Sequence, residues 1–166
     1  MKRIGLFGGS FDPVHNAHLA LSRPLTPAVH REAMLRLAIA DEPRFVLEDC
    51  ELRRPGPSYT LDTVRELQAA TPGAQWFLVI GQDQYAGLHT WFGFEQLLPR
   101  VTLAVAQRPG ARTPADARVH AAAQTAVSAT HVRARLAAGQ DIGALVPLPV
   151  ALYIRQQGLY RGTTGS

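Results

Sequence analysis

Two histidines follow a pair of glycines near the start of the chain. Gly8, Gly9 and Ser10 come directly after a short apolar run, and His15 and His18 lie where a helix is predicted to begin. Glycines after a strand free the backbone to approach a ligand, and a helix N-terminus attracts phosphate. Residues three apart in a first helical turn share one face, so both imidazoles can donate hydrogen bonds to phosphoryl oxygens. The segment therefore predicts a phosphate-binding site.

Other interpretations of the same segment are open. It could be a tight turn with a hydrogen-bonded histidine pair, or His15 and His18 could bind a metal ion. Zinc needs three or four protein ligands, and no other His or Cys has a suitable spacing, so a zinc site is not expected. The segment is neither a Walker A loop nor a dinucleotide-binding fingerprint, because both motifs are absent.

The composition is that of an ordinary globular protein. Of the 166 residues 46% are apolar and 18% are charged, which favours a single domain, predicted at 1–161, with a flexible tail at 162–166. The single cysteine, Cys50, excludes a disulfide framework, and no apolar run is long enough to span a membrane. The apolar run after Arg3 is too short for a signal peptide, so we expect a cytoplasmic protein.

The charge favours anionic ligands without naming one. The net charge is +4, from 17 Lys and Arg against 13 Asp and Glu. The basic residues are scattered and form no run of five, so we expect no nucleic-acid partner and no membrane partner. The sequence leaves a homo-oligomer open.

Apolar runs alternate with segments of helical periodicity along the chain. Strands are predicted at 3–7, 45–47, 76–80 and 101–106, and helices at 17–23, 28–41, 61–67, 92–98, 131–138 and 149–157. We interpret 110–124 as a variable connection, and Ser58 or Thr60 as the cap of the helix at 61–67. The alternation predicts an α/β fold, a parallel sheet with helices on both faces. Ligands of such folds bind at the carboxyl ends of the strands, where Gly8, Gly81 and Arg108 are placed.

Several segments together resemble bacterial nicotinate-nucleotide adenylyltransferases of the HxGH nucleotidyltransferase superfamily. Residues 8–18 resemble the superfamily signature, and further segments resemble this family in the expected order: 53–63, 80–83, 90–91, 108–110, 127–133, 145–147, 153–154 and 158–160. The resemblance spans nearly the whole chain. The segment Pro57–Thr63 and the region of Trp91 narrow it to the pyridine-nucleotide branch.

The resemblance implies a Rossmann-like nucleotidyltransferase fold and an adenylyl transfer. The two substrates would be ATP, with Mg²⁺ carried on its phosphates, and nicotinate mononucleotide, and the products deamido-NAD and pyrophosphate. No protein side chain is implied as a metal ligand. This chemistry needs positioning and charge neutralisation rather than a covalent intermediate.

The resemblance also implies roles on the ATP side. His15 and His18 would contact the triphosphate, with His18 stabilising the transition state, while Ser128, Thr130 and Arg133 would hold the β- and γ-phosphates. Gly8, Gly9 and Ser10 would line the phosphate site, and Arg108 would meet adenylate or phosphate. The alternatives from the residues alone are a plain helix cap for Ser128 and a surface arginine for Arg108.

On the acceptor side the resemblance implies that Thr60 and Trp91 bind the pyridine ring. Thr60 and nearby N–H groups would receive the carboxylate, and Trp91 would offer a stacking face. Gly81 and Asp83 follow a strand, where Asp83 could accept hydrogen bonds from ribose hydroxyls. The alternatives are a packing role for Trp91 and a helix cap for Asp83.

The chain departs from the family pattern in three ways. Ala17 replaces the usual glycine of the signature, and Ala129 stands where a second serine is common. The chain is also short between Leu21 and Ala28, where relatives carry a further strand, and in the connection 110–127, from which a strand usually leads to Ser128. Either segments are absent from the printed sequence, which is our hypothesis, or the deletion is real. A related adenylyl- or cytidylyltransferase and a nucleotide-binding module without catalysis are the alternative functions.

Overall fold

The structure, a computed structural model, describes residues 1–9, 26–106 and 128–161, together with the backbone of 119–122. These residues form two compact units. The first unit contains residues 1–8, 48–106 and 119–122, and the second contains Gly9, 26–47 and 128–161. The single domain at 1–161 stays a prediction, and the predicted tail at 162–166 lies outside the described residues.

The described residues contain thirteen elements of secondary structure. The strands are β1 (Arg3–Phe7), β2 (Gln75–Gly81), β3 (Thr102–Ala106) and β4 (Val119–Ala122). The helices are α1 (Ala28–Ile39), α2 (Cys50–Arg53), α3 (Thr60–Ala70), α4 (Gln82–Ala86), α5 (Phe94–Leu97), α6 (Ala129–Ala137) and α7 (Leu148–Gln157), with 3₁₀ turns at Leu88–Thr90 and Leu98–Arg100. None of the described helices is long and apolar enough to cross a membrane.

The first unit is built on one parallel sheet. Its strands lie in the order β1-β2-β3-β4, and every neighbouring pair is parallel. Because the strands are parallel, their carboxyl ends meet at a single edge of the sheet. The predicted α/β class is confirmed, and the edge at which ligands bind in such folds is defined.

One face of the sheet is the core of the first unit. Strand β2 alternates, so that Trp76, Leu78 and Ile80 are buried on the same face. Leu61 and Val64, one helical turn apart on α3, belong to the same apolar cluster. Each such side chain contributes roughly 1.5–3 kcal/mol on burial. Helix α3 is therefore held against the sheet, and its N-terminus with it.

The described core of the second unit is formed by three helices and the segment between two of them. Its buried side chains come from α1, α6, α7 and the segment between α6 and α7, namely Met34, Val132, Ile142, Val146, Val150 and Ile154. A hydrogen bond of 2.8 Å between His30 Nδ1 and Tyr153 Oη also joins α1 to α7. Gly158, with φ of 62°, ends α7 as predicted.

Three sequence predictions of local structure are wrong. Residues 45–47 form no strand, and Phe45 and Val46 are 65% and 86% exposed. The segment 110–124, interpreted as a connection, contains β4. Neither Ser58 nor Thr60 caps α3, because the N-cap residue is Tyr59, Thr60 lies inside the first turn, and the Ser58 hydroxyl bonds to Glu51.

The short stretch after Leu21 leaves no gap in the sheet. Strand β1 pairs directly with β2, from Arg3 opposite Gln75 to Phe7 opposite Val79. Among the described strands β1 lies at the end of the sheet, so the described ladder is continuous without a further strand. The predicted helix at 17–23 lies outside the described residues.

Gly93 offers a test of how α5 is attached to the core. Its φ is 66°, and a Cβ at this position would overlap the Leu61 side chain. We expect Gly93→Ala to lower the free energy of unfolding by about 1–3 kcal/mol more than Gly73→Ala does, because overpacking adds to the backbone strain. Gly73 is the matched control, since its φ is 77° and no atom lies within 4 Å of the added methyl. Equal losses in urea denaturation would contradict the close packing of Gly93.

Candidate active site

Two of the predicted glycines lie at the carboxyl edge of the sheet. Gly8 follows the last residue of β1, and Gly81 is the last residue of β2, opposite Ala106 of β3. Gly81 is buried and also begins α4, where its N–H donates a 3.1 Å hydrogen bond to Gln84 Oε1. Gly8 is exposed, and a Cβ there would meet no described atom within 4 Å. The structure thus brings these two predicted positions to one edge.

Gly9, the next predicted glycine, is described and exposed. The other predicted ATP-side groups of the first 106 residues, Ser10, His15 and His18, fall outside the described residues, as do Arg108 and the departure at Ala17. Their roles stay predictions that follow from the resemblance.

Asp83 lies just beyond the same edge. It is the second residue of α4 and is exposed, in the first helical turn. The alternative that Asp83 caps this helix is wrong, because Gly81 is the N-cap residue and no side-chain cap is formed. Asp83 therefore lies two residues beyond the buried end of β2.

The N-terminus of α3 supplies hydrogen-bond donors. Thr60 is the first helical residue, and the carbonyl of Tyr59 accepts from the N–H groups of Asp62 and Thr63 at 3.0 and 3.2 Å. The N–H groups of the preceding residues have no intrahelical partner, as at any helix start. A carboxylate is a suitable ligand for such donors.

An aromatic pair joins this helix start to the turn that contains Trp91. The rings of Tyr59 and Phe92 lie 4.4 Å apart between centroids, at 31° to one another. Trp91 is half-buried against the core of the first unit, so the predicted packing role is present. Thr60 and Trp91 each lie next in the sequence to one residue of this pair, so the structure brings the two segments that contain them together.

Tyr59 and Phe92 are the residues that sequence reasoning missed. They are 42% and 58% exposed, and their rings contact one another at a tilt. The available signal was their position, since each lies next to a residue already assigned to the pyridine ring. Phe92 was interpreted instead as the start of a helix, which begins two residues later at Phe94.

A network of polar side chains joins α2, α3 and Ser58, the residue before Tyr59. Arg54 Nη2 donates to Glu66 Oε2 at 2.6 Å, and Arg54 Nη1 donates to Thr63 Oγ1 at 3.2 Å and to Ser58 Oγ at 3.3 Å. Thr63 Oγ1 donates in turn to Glu51 Oε1 at 2.7 Å. Thr63 is the one buried polar side chain among the described residues.

The electrostatics of this network keep its arginine charged. The hydrogen bond to Glu66 raises the pKa of Arg54 above its already high value.

The single cysteine lies close to this network but outside it. Burial, followed by the negative charge of Glu48, raises the pKa of the Cys50 thiol, so Cys50 stays protonated at neutral pH. Among the described residues no group of three His, Cys, Asp or Glu side chains is placed to hold a metal ion.

The second unit contains the other predicted phosphate-binding groups. Ser128 Oγ accepts a 3.2 Å hydrogen bond from the N–H of His131, so Ser128 is the N-cap of α6. Arg133 Nη2 donates to Thr130 Oγ1 at 3.3 Å, and the first turn contains no acidic residue. The cap alternative for Ser128 is therefore correct, and an N-terminus with this composition also suits an anion.

Comparison with known proteins gives the class and then the family. The profile of the family described as Cytidylyltransferase-like matches residues 20–135, beginning after His18. A probable nicotinate-nucleotide adenylyltransferase of Methylibium petroleiphilum is 43% identical, over 99% of this chain and 95% of its own length. The corresponding Thermus thermophilus protein is 38% identical, over 96% of this chain and all of its own length.

The fold agrees with a solved structure. The Plasmodium falciparum nicotinic acid mononucleotide adenylyltransferase complexed with NaAD has a TM-score of 0.76 and 18% identity, and the match covers 96% of this chain and 98% of that one. The chain belongs to the nicotinate-nucleotide adenylyltransferase family, within the cytidylyltransferase-like nucleotidyltransferases. The resemblance drawn from the sequence motifs is confirmed.

The alignment also measures how short the chain is. It runs over 202 positions with the Methylibium protein, against 166 residues here, so at least 36 positions have no counterpart in this chain. Their predicted places, near Arg23 and within 110–127, stay predictions, because the junction after Arg23 lies outside the described residues.

Ser128 offers a test of the α6 N-terminus. We expect Ser128→Ala to lower the free energy of unfolding by about 1 kcal/mol, because the hydrogen bond to the His131 N–H is lost. Ser128→Asn is the matched control, since asparagine caps as well as serine and should retain nearly all the stability. Thermal or urea unfolding measures both variants, and an equal loss in both would contradict the capping geometry.

Proposed function

We propose that the protein transfers the adenylyl group of ATP to nicotinate mononucleotide, giving deamido-NAD and pyrophosphate. The observation that supports the proposal is that Tyr59, the N-cap residue of α3, contacts Phe92. An exposed aromatic pair therefore lies at the N-terminus of this helix. An exposed aromatic pair beside the N–H donors of a helix start suits a pyridine ring that bears a carboxylate. The names of the relatives support this choice of acceptor.

Each residue on the acceptor side has a role in this proposal. Thr60 and the first N–H groups of α3 receive the pyridine carboxylate, and Trp91 together with the exposed pair bounds the ring. Asp83 accepts hydrogen bonds from the ribose hydroxyls, beside Gly81 at the edge of the sheet. Nicotinamide mononucleotide, which lacks the carboxylate, leaves those donors poorly matched and should react more slowly.

The ATP side of the proposal follows the family signature. His15 and His18 donate hydrogen bonds to the triphosphate, and Gly8, Gly9 and Ser10 line the phosphate site. Ser128, Thr130 and Arg133 hold the β- and γ-phosphates, and Arg108 meets adenylate or phosphate. Mg²⁺ enters with ATP and neutralises part of its charge.

The chemical step needs no covalent intermediate with the protein. A phosphate oxygen of nicotinate mononucleotide attacks the α-phosphorus of ATP, a new P–O bond forms, and the bond to pyrophosphate breaks. The acceptor phosphate is already an anion, so no general base is required. The protein contributes alignment of the two substrates and donors for the charge that develops on the phosphate oxygens.

The decisive experiment compares acceptors with the full chain. Protein, ATP and Mg²⁺ are incubated with nicotinate mononucleotide, nicotinamide mononucleotide or phosphopantetheine, and dinucleotide and pyrophosphate are measured. We expect the highest kcat/KM with nicotinate mononucleotide. Product with phosphopantetheine alone would favour the related adenylyltransferases, and ATP binding without pyrophosphate release would favour a module without catalysis.

His18 tests the proposed role of the signature. We expect His18→Ala to lower kcat by roughly 10²–10³-fold, because a donor to the transition-state charge is lost. His89→Ala is the control, since His89 is exposed and has no assigned role. Steady-state kinetics with both substrates saturating measure the effect, and a kcat within about threefold of wild type would contradict the role of His18.

A further inference from the structure

The loop before Tyr59 has little backbone support of its own. Residues 55–58 include two prolines, which have no N–H, and among the described residues this stretch forms no backbone–backbone hydrogen bond. Its ends are α2 and α3. Side chains must therefore hold the loop, and with it the aromatic ring of Tyr59.

Arg54 is the centre of the contacts that do so. At one end of the loop its guanidinium bonds to Ser58, and it spans to Thr63 and Glu66 on α3. Ser58 Oγ donates in addition to the carbonyl of Glu51 on α2, at 3.4 Å. A planar guanidinium can serve several acceptors in fixed directions, which an ammonium cannot.

The network is sheltered on one side and open on the other. Thr63 is 4% exposed and the Arg54 side chain is 20% exposed, whereas Glu66 is 54% exposed. The exposed pair of Arg54 and Glu66 by itself would contribute little to stability. The bonds to Ser58 and Thr63 are different, because they tie the loop to a buried residue of α3.

We propose that Arg54 is a positioning residue for the pyridine-nucleotide side of the site: through Ser58 and Thr63 it fixes the loop 55–58 and so sets the Tyr59–Phe92 pair against the N-terminus of α3. This role rests on the proposed function, since it assigns the aromatic pair to the acceptor. Arg54 itself touches neither substrate. Its loss should therefore weaken acceptor binding and leave the ATP side unchanged.

The first test separates the two Michaelis constants. We expect Arg54→Ala to raise the KM for nicotinate mononucleotide by roughly tenfold and the KM for ATP by less than about twofold. Arg54→Lys keeps the charge without the planar fork and should recover only part of the loss. Arg36→Ala is the matched control. It removes an arginine that bonds to Glu32 at 2.7 Å within α1 of the second unit, and it should change neither KM.

The second test needs no activity. Thr63→Val removes the shared hydroxyl at nearly constant volume, and Thr63→Ser keeps the hydroxyl. We expect trypsin to cleave the Arg53–Arg54 bond, which precedes the loop, at least about threefold faster in Thr63→Val than in wild type, because the segment that Arg54 holds to Thr63 opens more often without that hydroxyl. Thr63→Ser should be cleaved like wild type. These variants also serve if Arg54→Ala fails to fold.

The outcomes distinguish the two proposals. A wild-type protein that makes no dinucleotide from nicotinate mononucleotide overturns the proposed function. An active wild type whose folded Arg54 or Thr63→Val variants change both KM values equally, or neither, overturns the positioning role alone. Unchanged trypsin cleavage in Thr63→Val overturns the role of the network in holding the loop.

Discussion

The parallel pairing of β2 with β1 on one side and β3 on the other is the constraint on which the first unit depends. It aligns the strand ends, so that Gly8 and Gly81 come to one edge although they are far apart in the chain. The buried face of β2 also holds α3 through Leu61 and Val64. Without that contact the helix start at Thr60 would have no defined place, and the donors assigned to the pyridine carboxylate would not be fixed.

The proposed acceptor side is built in layers from this sheet outward. The core holds α3, Thr63 of α3 accepts a hydrogen bond from Arg54, and Arg54 donates another to Ser58 at the end of the loop before Tyr59. On the Phe92 side of the aromatic pair, Gly93 packs against Leu61 of α3. A side chain at position 93 would overlap that leucine. These contacts keep the two exposed aromatic rings together. Most of the conformational entropy that their ordering costs is therefore lost on folding and not on ligand binding.

Much of the fold was predictable because apolar periodicity reports burial directly. Strands β1, β2 and β3 and helices α1, α3, α6 and α7 were predicted within a few residues of their observed bounds. The errors share one cause, namely that pairing is not local. The apolar run 45–47 pairs with none of the described strands. In contrast, β4 lies in a stretch without clear hydrophobic periodicity and pairs with β3. Helix caps were misplaced because Ser58 bonds across to α2 instead of to its own helix.

The sequence by itself determined the family, because its motifs together resemble the family to which the relatives of 38% and 43% identity belong. It also determined which residue types could serve phosphate and pyridine chemistry. Tertiary structure alone decided that the segments of Thr60 and Trp91 meet through the ring contact of Tyr59 with Phe92, and that Arg54 reaches Glu66 twelve residues away. The physical reason is that such contacts depend on how helices pack against a sheet, and packing joins residues whose separation along the chain carries no signal.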